Sequence, residues 1–127
     1  MESGAGRRVR AIRGATTVDR DEPSLILAAT REMLATIVER NALHTDDIVS
    51  VVFTVTADLR SEFPARAARE LGWTDVPLLC TVEIPVPGAL AHCVRALLHT
   101  DIDRPRSAIR HVYLRGARSL RPDLLGE

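Results

Sequence analysis

The sequence predicts a mixed α/β (α+β) domain: a four- to five-stranded mixed sheet with one long and two short helices. Three observations carry this. Apolar and β-branched runs of strand length, Val9–Val18, Ile48–Thr56, Leu78–Val82 and Ile109–Leu114, are interleaved with helical segments. The segment from about Glu22 to Asn41 sets Ile26, Ala29, Met33 and Ile37 in a stripe, with Leu34 and Val38 beside it. The apolar fraction of 46% excludes disorder, and only 3% aromatics implies an aliphatic core.

In chain order, residues 1–8 read as a tail, 9–117 as one domain, and 118–127 as a C-terminal tail. In the first strand Val9, Ala11 and Arg13 share one face, and Arg10, Ile12 and Gly14 the other. Asp19, Asp21, Glu22 and Pro23 fit the start of the long helix, whose polar side carries Arg31, Glu32, Glu39 and Arg40. Thr45 is expected to cap a turn through Asp46 and Asp47. The β-branched density of Ile48–Thr56 suggests a central strand. Ala57–Ser61 is a connection. Phe63–Leu71 is a short helix with Pro64 in its first turn and Gly72 as its stop.

Leu78–Val82 is a short strand, and Pro85, Pro87 and Gly88 break the chain after it. Ala89–Leu98 is expected to be the second short helix, because Leu90, Val94 and Leu97/Leu98 recur at helical spacing. Thr100–Arg106 reads as a loop, Ile109–Leu114 as the last strand, and Arg118–Leu125 as an extended tail. So few helices hardly cover both faces of such a sheet, so part of it is expected to be buried by other subunits.

Several function classes are excluded. A net charge of zero argues against nucleic-acid binding through bulk charge. No apolar run reaches the roughly 18 residues of a membrane span, and MESGAGRR lacks the apolar stretch of a signal peptide. Two cysteines, Cys80 and Cys93, make no disulfide framework and suggest free thiols in the cytoplasm. All 17 basic residues are arginine, which rules out lysine Schiff bases and a Walker lysine. His44, His92, His99 and His111 lack metal-ligand spacing, and no nucleophile elbow or phosphate loop is present. No metal or cofactor is expected.

What remains is Arg13, Arg66, Arg69 and Arg95, with Glu83, Cys80 and Tyr113 as polar partners. Such a set suits a small dicarboxylate. Each residue also has a plainer reading. Arg66 and Arg69 fit a solvated helix face, Cys80 a small core residue, and Tyr113 a core or interface aromatic. Residues three apart in a regular strand face opposite ways, so Cys80 and Glu83 can share a ligand only if the strand ends, twists or bulges between them.

The ordered set of short motifs resembles the monofunctional chorismate mutases of the AroH class, the trimeric Bacillus type. The motifs are IRGATTV (12–18), FPARAAREL (63–71), GW (72–73), VP (76–77), Cys80-x-x-Glu83, Cys93-x-Arg95, IRHVYL (109–114) and LRPDL (120–124). The resemblance runs from about Val9 to Leu124. It implies a homotrimer with sheets packed in a pseudo-barrel core, and sites shared between subunits. It implies the Claisen rearrangement of chorismate to prephenate, in phenylalanine and tyrosine biosynthesis.

By the same resemblance, Arg95 donates to the ether oxygen, and Arg13 and Tyr113 hold the side-chain carboxylate. Glu83 and the region of Leu78, Leu79 and Cys80 meet the ring hydroxyl. Phe63, Ala65, Arg66 and Arg69 form a wall from the neighbouring subunit, and Arg121 lies on a tail near the mouth. The family often has lysine where Arg66 stands and threonine where Leu79 stands, and this chain is one residue shorter just before Trp73. The alternative is a trimeric protein that binds a carboxylate metabolite without turnover.

Overall fold

The computed structural model describes residues 6–120. The elements are β1 (Arg8–Thr17), α1 (Pro23–Arg40), β2 (Ile48–Val55), α2 (Ala65–Glu70), β3 (Leu78–Val82), β4 (Cys93–Ile102) and β5 (Val112–Tyr113). Single 3₁₀ turns occupy Thr45–Asp47, Arg106–Ala108 and Arg115–Ser119. The five-stranded sheet has the order β3-β2-β4-β1-β5. Strand β4 runs antiparallel to both β1 and β2, while β2/β3 and β1/β5 are parallel.

The mixed sheet and the long helix agree with the sequence reading, but one of the two short helices does not exist. Residues 89–92 are loop, and Cys93–Ile102 is the central strand. The spacing of Leu90, Val94 and Leu98 misled because residues four apart share a face in a strand as well as in a helix. Ala96, Thr100 and Ile102 resolve the ambiguity. They are buried with Val94 and Leu98 at strict period two. It follows that β2 is interior but not central, that Thr100–Ile102 belongs to a strand, and that Arg95 lies on a strand.

Three smaller corrections concern turns and ends. The last strand is two residues long rather than six. Beside it, the His111 imidazole accepts from the Arg13 N–H at 3.0 Å, in place of a backbone acceptor. Around Thr45–Asp47 the cap residue is His44, whose N–H donates to the Asp47 carboxylate at 2.8 Å. Arg118 and Ser119 belong to a 3₁₀ turn, Arg115–Ser119, rather than to extended chain, and the expected tail beyond Leu120, with Arg121, lies outside the described residues. Gly72 does stop α2. It has φ of 92°, its N–H donates to Arg69 O at 3.0 Å, and Trp73 N–H donates to Ala68 O at 3.1 Å.

Helix α1 covers one face of the sheet. Ile26, Met33, Leu34 and Ile37 pack on Ile12, Phe53, Val94 and Leu98, all fully buried. Contact is closest at Gly14, where an added Cβ would lie 2.6 Å from Ile37 Cδ1 and 3.2 Å from Met33 Cγ. The opposite face carries Val9, Ala11, Arg13 and Ala15 of β1, Val52 and Thr54 of β2, Leu79 and Thr81 of β3, and Arg95, Leu97 and His99 of β4. No long helix among the described residues covers it, and Val9 and Leu79 are 64% and 63% exposed. No helix among the described residues is long and apolar enough to cross a membrane.

Because Ile37 is fully buried, it has little room to retreat from a methyl at position 14. Gly14→Ala is therefore expected to destabilise the fold by about 1–3 kcal/mol and to lower the thermal midpoint by several degrees. A calorimetric scan that shows an unchanged midpoint would contradict this account of the helix–sheet contact.

Candidate active site

The register of β4 assembles a cleft on the open face. Arg95 stands opposite Ala15 on one side and Thr54 on the other. Ala15 in turn pairs with Tyr113. Arg13, Val52, Thr54, Glu83, Arg95 and Tyr113 line a cleft of about 330 Å³, with Leu120 at its edge. Four of the expected site residues, Arg13, Glu83, Arg95 and Tyr113, are therefore brought together.

Strand β3 ends at Val82, and Glu83 extends the pairing with β2 by one bond, Glu83 N–H to Val55 O at 2.9 Å. The Glu83 side chain turns to the cleft and accepts from Thr54 Oγ1. Its carboxylate lies 3.7 Å from Arg95 Nε, close enough for charge attraction but too far for a hydrogen bond. Arg95 Nε is buried and has no hydrogen-bond partner among the described residues. Tyr113 is buried with Ala15 and Ala117, and Leu90 and Leu120 pack beside them. Arg13 lines the cleft from the neighbouring position on β1.

The other expected residues lie elsewhere. Cys80 belongs to the helix-facing side of β3 and packs against the main core. With Phe63, Pro64, Thr81 and Val82 it lines a second groove of about 280 Å³. Cys80 and Glu83 thus open into different grooves. Ala65 is buried in the core, Leu78 is partly buried against it, and Leu79 is exposed on the open face. Arg66 donates to Glu62 at 2.8 Å and lies 3.5 Å from Glu70. Arg69 and Phe63 are exposed.

Sequence reading missed Thr54, Val52 and Leu97. Their signal is register rather than motif. Once β4 is known to be a strand, alternation places Leu97 beside Arg95, and pairing places Thr54 and Val52 opposite them. The Cys93 thiol was also left without a neighbour. It is fully buried, and burial pushes its pKa up against the opposing pull of the adjacent Arg95 guanidinium.

A fixed cation with a free donor, a second arginine, a carboxylate and a phenol around one small cleft define a site for a small, oxygen-rich anion. The family model for chorismate mutase type I matches residues 9–124, and the chain belongs to that family. It is 50% identical over 117 residues to chorismate mutase AroH of Thermus thermophilus, covering 91% of this chain and 96% of that protein. It is 45% identical to chorismate mutase AroH of Bacillus subtilis, over 91% of this chain and 92% of that protein. The solved structure of a chorismate mutase from Clostridium thermocellum superposes with a TM-score of 0.86 at 48% identity, covering 87% of this chain and 98% of that one.

Burial and a raised pKa keep Cys93 protonated and inaccessible. In a Cys80→Ala variant, which leaves one thiol, an aromatic disulfide reagent is expected to react only after denaturation. Rapid labelling of the folded variant would show that Cys93 is not enclosed as described.

Proposed function

We propose that the chain rearranges chorismate to prephenate by holding the substrate compactly and stabilising the oxyanion that grows at its ether oxygen. The reading follows from membership of the family, and one observation carries the mechanism: the buried Arg95 Nε–H on the wall of the cleft, which has no hydrogen-bond partner among the described residues. A buried donor left unsatisfied is costly and rare. Here a ligand oxygen would satisfy it.

The reaction is an intramolecular isomerisation, so it needs no nucleophile and no general base. It needs the reacting ends held together and a fixed positive charge at the breaking C–O bond. Arginine keeps its charge in such a setting. Arg13 and Tyr113 would bind the side-chain carboxylate, and Glu83, oriented by Thr54, would accept from the ring hydroxyl. No step in this scheme calls for a metal or cofactor. The product places the chain in aromatic amino-acid biosynthesis, and we assign it to the cytoplasm.

The site would be completed by a neighbouring subunit in a homotrimer. The exposed Val9, Leu79 and Leu97 on the open sheet face and the unpaired edge of β3 favour burial against another copy. Phe63 is 69% exposed beside the second groove, suited to closing the cleft of the next subunit. From that wall Arg69 would bind the ring carboxylate more strongly than Arg66, which Glu62 and Glu70 already neutralise.

Steady-state kinetics, followed as loss of chorismate absorbance, test the reading. Arg95→Ala is expected to lower kcat by about a hundredfold to a thousandfold, with a smaller change in KM. Arg95→Lys should rescue only in part, since the charge remains but the donor moves. A correctly assembled Arg95→Ala with near wild-type kcat would remove Arg95 from the mechanism, and binding without any turnover by the wild type would favour a metabolite-binding protein. Light scattering should give about three chains per particle. A fully active monomer would refute the shared site.

A further inference from the structure

Arg95 lies two residues inside β4, and the chain that delivers it is held in an unusual conformation. His92, the residue before the strand, has φ of 51°, in the left-handed region that residues other than glycine seldom occupy. It is held there from two sides. Its carbonyl accepts from Val18 N–H at 2.9 Å, beyond the end of β1. Its N–H donates to both oxygens of the Asp58 carboxylate, at 3.2 and 3.0 Å.

Thr56 ties the same carboxylate to the next residue. Its hydroxyl donates to Asp58 Oδ1 and accepts from Cys93 N–H at 2.9 Å. Its own N–H donates to Cys93 O at 3.0 Å, continuing the pairing of β2 with β4. Asp58 is thus one end of a short polar chain that runs Asp58–Thr56–Cys93, with His92 bound directly to it. Asp58, Glu83 and Arg95 also line one shallow pocket beside the loop 84–91.

We propose that Asp58 is a positioning residue for Arg95: its carboxylate holds His92 in the left-handed conformation and so fixes where β4 begins and where the Arg95 guanidinium lies. The inference rests on the role given to Arg95 above. It gives a role to a carboxylate that is not itself among the residues lining the Arg13–Tyr113 cleft. One backbone N–H and one hydroxyl converge on it, and a neutral side chain cannot accept from both with two equivalent oxygens. Without it His92 can relax toward negative φ, and the first turn of chain before Arg95 shifts. A displacement on the order of 1 Å is enough to lower a rate markedly when catalysis depends on placement.

The protonation state is consistent with this. Burial alone would raise the Asp58 carboxyl, but the Thr56 hydroxyl, the His92 N–H and the His92 ring outweigh it, so its pKa lies below the usual range. The titratable and charged groups facing it are the His92 ring, whose Nε2 is 3.7 Å from Oδ2, and, across the pocket, Arg95 and Glu83.

The test is a double-mutant cycle on kcat and KM, using full-length protein whose assembly has been checked by light scattering. Asp58→Ala is expected to lower kcat about tenfold while KM changes less than about threefold. Asp58→Asn, which keeps one acceptor, should fall between Asp58→Ala and wild type. In an Arg95→Ala background Asp58→Ala should cost less than about twofold, because residues acting through one group are not additive. If Asp58→Ala fails to assemble, Thr56→Val removes the bridging hydroxyl without changing side-chain shape, and it should show the same kcat-selective loss. An equal cost of Asp58→Ala in both backgrounds, or wild-type kcat in the single variants, would overturn the inference while leaving Arg95 in place. Near wild-type kcat in Arg95→Ala alone would instead remove the reading on which it rests, and the inference with it.

Discussion

The antiparallel pairing of β4 with both of its neighbours is the constraint on which the rest of the structure depends. Strand β4 is ten residues long and sits at the centre of the sheet. Hydrogen bonds on both edges leave it no freedom to slip, since a one-residue shift would send every core side chain to the other face. That register sets Arg95 between Ala15 and Thr54. Through Ala15 it is tied to Tyr113, and through Thr54 to Glu83. The guanidinium that we assign to the developing charge is thereby mounted on the central strand, which is paired along both edges.

The sheet has one helix-covered face and one open face, and the cleft is on the open one. Gly14 lets α1 approach the sheet closely on the first face. The second face mixes charged site residues with exposed Val9, Leu79 and Leu97. Burial of that face by another copy would therefore complete the fold and enclose the cleft in one step. Exclusion of water would strengthen the interactions of Arg95 with any ligand oxygen, because charges attract more strongly where the dielectric is low.

Much of this was legible in the sequence, and the failures have physical causes. Helix α1 was readable because it has a single strong period and clear end signals, Pro23 among them, and β1 because its β-branched run is of strand length and ends at Asp19. The stop at Gly72 was readable because the left-handed cap it supplies is a local property. Strand β4 was not. Arg95, His99 and Asp101 do alternate with its buried residues, but Leu97 interrupts the pattern beside Leu98, and spacings of four fit both periods. The site residues on β4, β1 and β5 were identified from ordered motifs, but their convergence is a matter of pairing register, which no local pattern encodes. Thr54 and Asp58 illustrate the limit. One orients a carboxylate and the other a backbone, and neither type stands out in sequence.

The pairing of Glu83 and Arg95 shows how the cleft avoids neutralising itself. A carboxylate beside a guanidinium whose Nε is buried would ordinarily take that N–H, and the donor would then be spent before any ligand arrived. Here Glu83 Oε2 accepts from Thr54 and stands 3.7 Å from Arg95 Nε. The separation retains enough attraction to steady the guanidinium, yet leaves the Nε–H without an acceptor among the described residues. An oxygen that gains negative charge during a reaction would bind such a donor more tightly than one that does not, which is the condition for accelerating the chemical step rather than merely binding the reactant. The Thr54 hydroxyl, by holding the carboxylate in place, keeps the donor available.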